Sequence, residues 1–349
     1  MGRRLRPRPQ ARPLKFLITM GVCGFLLLVG LVKISNINFK SKTEQVVAPN
    51  PAPILEAPCL ATNPLSGVCL KALPQKQQVV GVMFDNSPIA RPQKGLDKAD
   101  LVFEAIAEFP YTRFLAFYFS ENLPDKIGPV RSARPYFVDW ANELNAVYAH
   151  CGGSPDALNL LKKNGAKDLN EFYNQQYFYR SWNKVAPYNI FTSAELLKQA
   201  LTDKNWFENK IGFATWQFKD DAEMSGRPET QEISIDFGNK DFAVSWKYNK
   251  VSNSYSRFQA DHDVELSAKN LVLMYVDFIV KDNVGRREVK TIGTGKAVVF
   301  LDGKVVKGKW NKSTEKSRTT FFDELNQEIK FNKGSTWIEV VDSGVKVAY

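Results

Sequence analysis

Two arginines spaced three residues apart stand where a helix is predicted to begin. In GPVRSARPYF, residues 128–137, Arg131 and Arg134 flank Ser132, a residue type that commonly caps a helix amino terminus. Unpaired backbone N–H groups and the helix dipole favour an anion at such a point, and guanidinium groups add bidentate donors suited to carboxylate or phosphate. The segment therefore predicts an anion-binding site.

Other polar residues are predicted to surround the same crevice, because ligands of an open α/β sheet bind beyond the carboxyl ends of its strands. The glycines among them would let a ligand approach the backbone closely. The predicted ligand-binding residues are Arg131, Arg134, Asp85, Asn86, Arg91, Ser132, His150, Gly152, Gly153 and Ser154. In the alternative interpretation the two arginines pair with nearby acids and brace loops. Those acids are Asp85, Glu121 and Asp125.

His150 is the main candidate for acid–base chemistry. The chain has only two histidines, His150 and His262, so a zinc site built from histidines is not expected. A catalytic site would use His150 with Asp85 or Glu121 as its acidic partner. Cys151 follows His150, but neighbouring residues of an extended strand point to opposite faces, which favours a structural cysteine over a nucleophile. No cofactor and no metal site is predicted.

Alternating strand and helix patterns are expected to position these residues. The apolar spacing predicts an amphipathic helix over 133–145, and ADLVFEAIAE fits a strand or a helix. A second helix is predicted to start at Ser154 as its N-cap and to stop at Gly165. The predicted strands of this part are 79–84, 113–119 and 145–149.

The rest of the chain has a different texture. From residue 233 onward, short alternating segments separated by turn signals such as Asp302-Gly303 predict β-structure. The predicted fold class is an α/β amino-terminal domain followed by a mainly β carboxy-terminal domain, preceded by a single transmembrane helix. The predicted boundaries are 1–15 for a basic cytoplasmic tail, 16–33 for a transmembrane signal anchor, 34–58 for a Pro-rich linker, 59–205 for the α/β domain, 206–232 for a connection and 233–349 for the β-rich domain.

The amino terminus predicts attachment to a membrane. Seven of the 47 Lys and Arg residues lie in positions 1–33, which contain no acid and include 17 uncharged, mostly apolar residues from Phe16 to Val32. A basic segment before a first span stays in the cytoplasm, so the bulk of the chain is expected outside the cell membrane. A cleaved signal peptide and a lipid anchor at Cys23 are the alternatives. The remaining 40 basic and 37 acidic residues nearly balance, which argues against nucleic acid as a partner.

Cys59 and Cys69 are candidates for a disulfide. They bracket the turn-rich segment LATNPLSGV, and an oxidising exterior would permit the bond. The alternative is a pair of free thiols.

Several blocks of the sequence resemble a known family. DNSPIARPQ, GPVRSARPY and GGSP resemble the amino-terminal domain of the YerB-like lipoproteins, a bacterial family of unknown function, and IGTGKAVVFLDGKVVKGKW is similar to its carboxy-terminal domain. The resemblance covers most of positions 59–345. It implies a two-domain envelope protein outside the cytoplasmic membrane, with no reaction assigned. Members usually carry a lipid anchor, whose motif this sequence lacks. Tyr188 stands where members often carry a histidine, which weakens any mechanism that needs a second one.

These observations lead to one expected function and two alternatives. We expect a membrane-anchored extracytoplasmic cell-envelope protein that binds an anionic envelope ligand, such as a cell-wall precursor or polymer, or an envelope protein. The first alternative is a hydrolase or transferase that acts on envelope polymers with His150 and an acidic partner. The second is an interaction module whose partner docks on the β-rich domain.

Overall fold

Buried apolar strands dominate the fold. The structure is a computed structural model that describes residues 59–260, 262–283 and 285–349. In chain order the strands are β1 (Val79–Asp85), β2 (Leu101–Glu108), β3 (Tyr111–Phe119), β4 (Val147–His150), β5 (Lys167–Asn170), β6 (Tyr179–Arg180), β7 (Ile190–Phe191), β8 (Phe218–Lys219), β9 (Glu232–Asp236), β10 (Val244–Asn249), β11 (Ser254–Gln259), β12 (His262–Ala268), β13 (Asn270–Tyr275), β14 (Phe278–Val280), β15 (Arg287–Val289), β16 (Gly293–Leu301), β17 (Lys304–Lys312), β18 (Thr320–Asp323), β19 (Phe331–Asn332), β20 (Thr336–Val341) and β21 (Lys346–Ala348).

Three α-helices occur among the described residues, namely α1 (Pro135–Asn142), α2 (Pro155–Asn164) and α3 (Ala194–Asp203). The predicted signals of α2 are confirmed, because Ser154 accepts the Ala157 N–H at 3.3 Å and Gly165 ends the helix with a φ of 61°. The predicted cap of α1 is wrong: its N-cap is Arg134 rather than Ser132. Pro135 disfavours helical geometry in the residue before it, so the helix cannot begin earlier.

Ten strands form one large sheet in the order β18-β17-β16-β13-β20-β2-β3-β1-β4-β5. Both predicted domains contribute strands to it. They meet at β2 and β20, which run parallel with Leu101 opposite Thr336 and Glu104 opposite Glu339. The hydrogen bonds between β2 and β20 therefore join two segments that are more than 200 residues apart in the chain.

The large sheet is covered on both faces. On one face Val80, Val82 and Phe84 pack with residues of α3 and of a five-stranded sheet, whose order is β12-β11-β10-β9-β21. On the other face Met83 and Phe103 pack with residues of α1 and α2. The central strands β1, β2 and β3 are therefore buried on both sides.

The predicted fold class is wrong for the amino-terminal part. This part is built around an antiparallel arrangement in which β3 pairs with both β1 and β2, and only β1, β4 and β5 run parallel to each other. The error has a physical cause. Strands buried on both faces form continuous apolar runs rather than alternating patterns, and such runs are also typical of the parallel strands of α/β proteins.

The predicted transmembrane helix also needs correction. No helix in residues 59–260, 262–283 or 285–349 is both long and apolar enough to span a bilayer. The predicted anchor, 16–33, and the tail and linker on either side of it lie outside the described residues.

Cys59 and Cys69 are joined by a disulfide at the start of the described chain, with their Cα atoms 5.6 Å apart. The segment that they enclose is fastened to the large sheet. The Asn63 amide donates to Asp100 Oδ1 at 2.7 Å, and Asp100 Oδ2 accepts the Phe119 N–H of β3 at 2.9 Å. The disulfide thus closes a loop that is anchored to the core.

Candidate functional site

The two loops with the predicted site residues lie side by side. Ala133 and Gly153 form a parallel β-bridge, in which the Ala133 N–H donates to Gly152 O at 3.0 Å and the Ser154 N–H donates to Ala133 O at 3.3 Å. Gly152 has a φ of +62°, and a Cβ at this position would lie 3.0 Å from the Phe172 ring, so a larger residue would be strained. The bridge brings the amino termini of α1 and α2 together.

Arg131 is paired with a carboxylate of the protein itself. Its Nε lies 2.5 Å from Asp85 Oδ2, and its guanidinium lies 5.4 Å from the centroid of the Tyr188 ring. Asp85 is almost fully buried, and its other oxygen accepts the Ser87 N–H at 2.6 Å. This arrangement matches the alternative in which Arg131 braces the loop after β1.

Arg134 is paired as well, with a carboxylate that the sequence did not suggest. Its Nε donates to Glu108 Oε1 at 2.8 Å, and its Nη2 contacts the same oxygen. Arg113 donates to the other oxygen of Glu108 at 3.0 Å and to Ser132 O at 2.9 Å. Burial, together with the charge of Arg134, lowers the pKa of Arg113 to about 10. One carboxylate serves two guanidinium groups, which leaves this region short of negative charge.

Asn86 and Arg91 belong to a polar network inside the protein. The Asn86 amide donates to Thr112 Oγ1 at 2.7 Å and to Glu104 Oε1 at 3.1 Å, and its oxygen accepts from Arg91 Nε at 3.2 Å. Arg91 also donates to the carbonyl oxygen of Asp241 at 2.7 Å. Burial lowers the pKa of Arg91 to about 10. Neither side chain lies in an open crevice.

His150 is enclosed by the protein and has no exposed surface. Its Nδ1 faces Gly152 O at 2.7 Å, and its Nε2 lies 2.8 Å from Asp168 Oδ1. Its acidic neighbour is therefore Asp168, and not Asp85, which pairs with an arginine, or Glu121, which is exposed after β3. Because both ring nitrogens are engaged and buried, His150 is poorly placed to exchange a proton with a ligand.

The thiol of Cys151 is not activated. Its Sγ lies 3.5 Å from one oxygen of Glu171, and Arg180 pairs with the other oxygen at 3.1 Å. Burial, together with the charge of Glu171, raises the pKa of Cys151 to about 11. Such a thiol remains protonated at neutral pH, which does not favour nucleophilic catalysis.

A cavity of about 310 Å³ lies where α1 and α2 begin. Its wall includes Arg134 and Ser154 of the predicted set, together with residues of β15 and of the turn that precedes it. The cationic residues that line it are Arg134, Lys281, Arg286 and Arg287. The acidic residues that line it are Asp139, Asp156 and Glu288.

Arg287 differs from the other cations of this cavity. It has no ion pair and no side-chain hydrogen bond within the described part of the chain, and its Nε is buried without a partner. Its guanidinium lies 5.7 Å from the centroid of the Phe109 ring. The other three cations are paired, in Arg134–Glu108, Lys281–Asp156 at 2.6 Å and Arg286–Asp282 at 2.5 Å.

The start of α1 adds positive potential to the cavity. Pro135 and Tyr136 line the cavity, and α1 has no side-chain hydrogen bond that caps its first turn. The free N–H groups of a first helical turn carry partial positive charge. Burial raises the pKa of Asp139, one of the acids of the same wall. The arrangement can hold an anionic group next to Arg287.

Comparisons with known proteins settle the family. Two sequence models of one family, described as Protein of unknown function (DUF3048), match this chain. The model of the N-terminal domain matches residues 65–207, and the model of the C-terminal domain matches residues 233–338. The chain belongs to this DUF3048 family. A DUF3048 relative named "Putative lipoprotein YerB", from Bacillus subtilis (strain 168), is 30% identical over 292 residues, or 80% of this chain and 85% of the relative. The crystal structure of the YerB protein from Bacillus subtilis matches with a TM-score of 0.73 and 27% identity, covering 83% of this chain and 100% of that one. The resemblance predicted from the sequence is confirmed.

In this DUF3048 protein the cavity takes residues from both family domains. Arg134 and Ser154 lie in the N-terminal match, whereas Lys281, Arg286 and Arg287 lie in the C-terminal match. The sequence reading missed the last three. Arg286 and Arg287 form the basic pair in GRREV, and Lys281 precedes it; neither position indicates proximity to α1. That proximity follows from the contact of β15 with α1 and β2.

Proposed function

We propose that this protein is an extracytoplasmic cell-envelope protein that binds an anionic group in the cavity at the start of α1 and α2. One observation carries the proposal: Arg287, which has no ionic partner among the described residues, brings its guanidinium to a cavity that also contains the start of α1. A partly buried cation without a counterion costs free energy, and a bound anion would offset that cost.

The location has separate support. The Cys59–Cys69 disulfide is the kind of bond that persists in oxidising compartments outside the cytoplasm. The Bacillus subtilis relative carries the word lipoprotein in its name. Both features favour an envelope protein, which is also what the family resemblance implies.

In this proposal the predicted site residues have unequal roles. Arg134 and Ser154 form part of the cavity wall, and Arg134 contributes through the shortage of negative charge around Glu108. Arg131 and Asp85 form a brace beside the cavity. The sequence predicted Arg131 and Arg134 as the cations that contact the ligand; in this proposal Arg287 has that role.

Anion-dependent stabilisation of the full-length protein tests this proposal. A bound anion raises the melting temperature, so we expect phosphate or acetate to raise it above the value in chloride at equal ionic strength. Arg287→Gln should abolish that increase. Arg180→Gln, which removes an exposed arginine outside the cavity, should retain it. An Arg287→Gln protein that responds to both anions like the wild type would refute the proposal.

A further inference from the structure

The Arg287 side chain also lines a second depression. This depression has a volume of about 480 Å³ and lies between the loops at 236–240 and 342–346. Arg287 lines both spaces, and Phe109, whose ring lies 5.7 Å from its guanidinium, lines the second. The two spaces therefore share the Arg287 side chain, and a ligand that extends past this side chain would contact both.

We propose that the ligand is the carboxy-terminal segment of a peptide, with its terminal carboxylate in the cavity beside Arg287 and its preceding residues in the second depression. This inference rests on the proposed function and narrows it to one ligand class.

The charge of the cavity favours a carboxylate over a phosphate. Four cationic and three acidic side chains line the cavity, and among the described residues only one of these cations lacks an ionic partner. Arg287 offers a guanidinium without an ionic partner in the described part of the chain, and its planar fork matches the two oxygens of a carboxylate. Because Asp139 and Glu288 of the same wall have no ion pair there either, a ligand with one negative charge is repelled less than a ligand with two. A phosphate monoester carries close to two charges at neutral pH and would be compensated only in part.

The second depression suits peptide rather than alkyl chemistry. Its polar lining combines donors, namely Asn239, Lys240 and Lys346, with the acceptors Asp236 and Asp342. Peptide groups need both kinds of partner, because each carries one donor and one acceptor. Asp236 and Asp342 each use one carboxyl oxygen to accept a loop N–H. An alkyl chain would remove the remaining polar atoms of this lining from water without offering them a hydrogen bond.

An aromatic surface is available for a side chain of the peptide. Phe109 is 52% exposed, although it is a large apolar residue at the turn between β2 and β3. Gly238 packs closely against this ring, since a Cβ on the glycine would lie 2.7 Å from it. The ring is thereby held at the junction with Arg287, where it can contact an apolar side chain near the peptide carboxylate.

Calorimetry on the full-length protein tests the inference with three probes. These are acetate, the peptide N-acetyl-Ala-Gly-Ala-Gly-Ala-Phe with a free carboxylate, and the same peptide as its carboxy-terminal amide. We expect the free peptide to bind at least tenfold more tightly than acetate and at least tenfold more tightly than the amide. Arg287→Gln should remove the preference for the carboxylate over the amide.

Variants of residues in the second depression distinguish its contribution to peptide binding from that of the cavity beside Arg287. Phe109→Ala should remove most of the advantage of the peptide over acetate. Lys346→Gln, a change of an exposed side chain in an edge strand, should reduce that advantage without risk to folding. Arg180→Gln serves as the control and should bind all three probes like the wild type.

The outcomes distinguish the inference from the proposed function. If acetate or phosphate binds in an Arg287-dependent way but the peptide binds no more tightly than acetate, the peptide inference fails and the anion site stands. If the amide binds as well as the free carboxylate, the inference fails too. If neither the anions nor the peptide bind, both proposals fail.

Discussion

Glu104 and Glu339 lie directly opposite each other on the parallel strands β2 and β20, and one arginine serves both carboxyl groups. Arg257 Nη2 donates to Glu104 Oε2 at 2.6 Å, whereas its Nε lies 4.0 Å from Glu339 Oε1. Glu339 instead accepts the indole N–H of Trp246 at 2.8 Å. All of these side chains are buried between the two sheets, so this cluster links the two family domains where they share a sheet.

The cluster predicts a loss of stability as pH rises. Burial, together with the charge of Glu104, raises the pKa of Glu339 well above its ordinary value of 4.5. Above that ordinary value the folded state therefore holds a proton that the unfolded state has released. The free energy of unfolding should then fall as pH increases from 4.5 through the raised pKa. Urea unfolding between pH 5 and 8 measures this free energy for the wild type and for Glu339→Gln. The free energy of unfolding of the variant should rise relative to that of the wild type as pH increases.

Glu104, which lies opposite Glu339, provides a variant to compare with Glu339→Gln. Glu104→Gln removes the carboxylate closest to Arg257 and leaves a buried guanidinium with weaker compensation, which should cost about 3–5 kcal/mol. Glu339→Gln keeps the oxygen that accepts from Trp246 and should cost far less at neutral pH. Equal losses in the two variants would contradict the assignment of the retained proton to Glu339.

Cys151 should react slowly despite its partial exposure. Its pKa of about 11, against an ordinary value of 9.0, lowers the thiolate fraction at pH 8 roughly 100-fold. We expect alkylation by iodoacetamide to be slower by about that factor than for a cysteine of ordinary pKa. Glu171→Gln removes the neighbouring charge, so it should lower the pKa of Cys151 and accelerate the reaction, whereas Glu121→Gln, an exposed residue, should not. A wild-type rate equal to that of an ordinary cysteine would refute this.

Local signals in the sequence were sufficient for some elements. The start and end of α2 follow from Ser154 and Gly165, whose cap geometries depend on only a few neighbouring residues. Ser132 suggests a start of α1 that is too early. Pro135 disfavours helical geometry at Arg134, and this stronger local constraint sets the start of the helix. The continuous burial of β1 to β3 erased the alternation that distinguishes an antiparallel sheet.

The candidate site depended on contacts that the sequence does not encode locally. The sequence predicted Arg131, Ser132 and Gly153 in one crevice, and the Ala133–Gly153 bridge brings their two loops together. The order of the strands does not explain this proximity, because β1 lies between β3 and β4. The partners of these residues could not be predicted. Glu108 reaches Arg134 across 26 positions, and Arg287 joins the cavity from the other family domain. Which arginines are paired, and which one is left for a ligand, emerges only from the folded arrangement.

The ion pair between Arg131 and Asp85 predicts that Arg131 contributes to the stability of the fold. If Arg131 were a solvent-exposed clamp for a ligand, Arg131→Ala would leave the melting temperature nearly unchanged. In the structure the Arg131 side chain is only 24% exposed and Asp85 only 4%, so the substitution leaves a buried carboxylate without its cation. We expect a loss of about 2–3 kcal/mol, less than for a fully buried pair because water still reaches Arg131.

Three comparisons check this prediction by urea unfolding. Asp85→Asn in the Arg131→Ala background should recover part of the loss, because the unpaired charge is removed. Lys247→Ala breaks the pair with Glu232, in which both side chains are more than half exposed, and should change the free energy of unfolding by less than about 0.5 kcal/mol. The stabilisation of Arg131→Ala by acetate should equal that of the wild type, since Arg287 is intact. If Arg131→Ala is as stable as the wild type and has lost its response to acetate, Arg131 is a ligand contact and the assignment of that role to Arg287 is wrong.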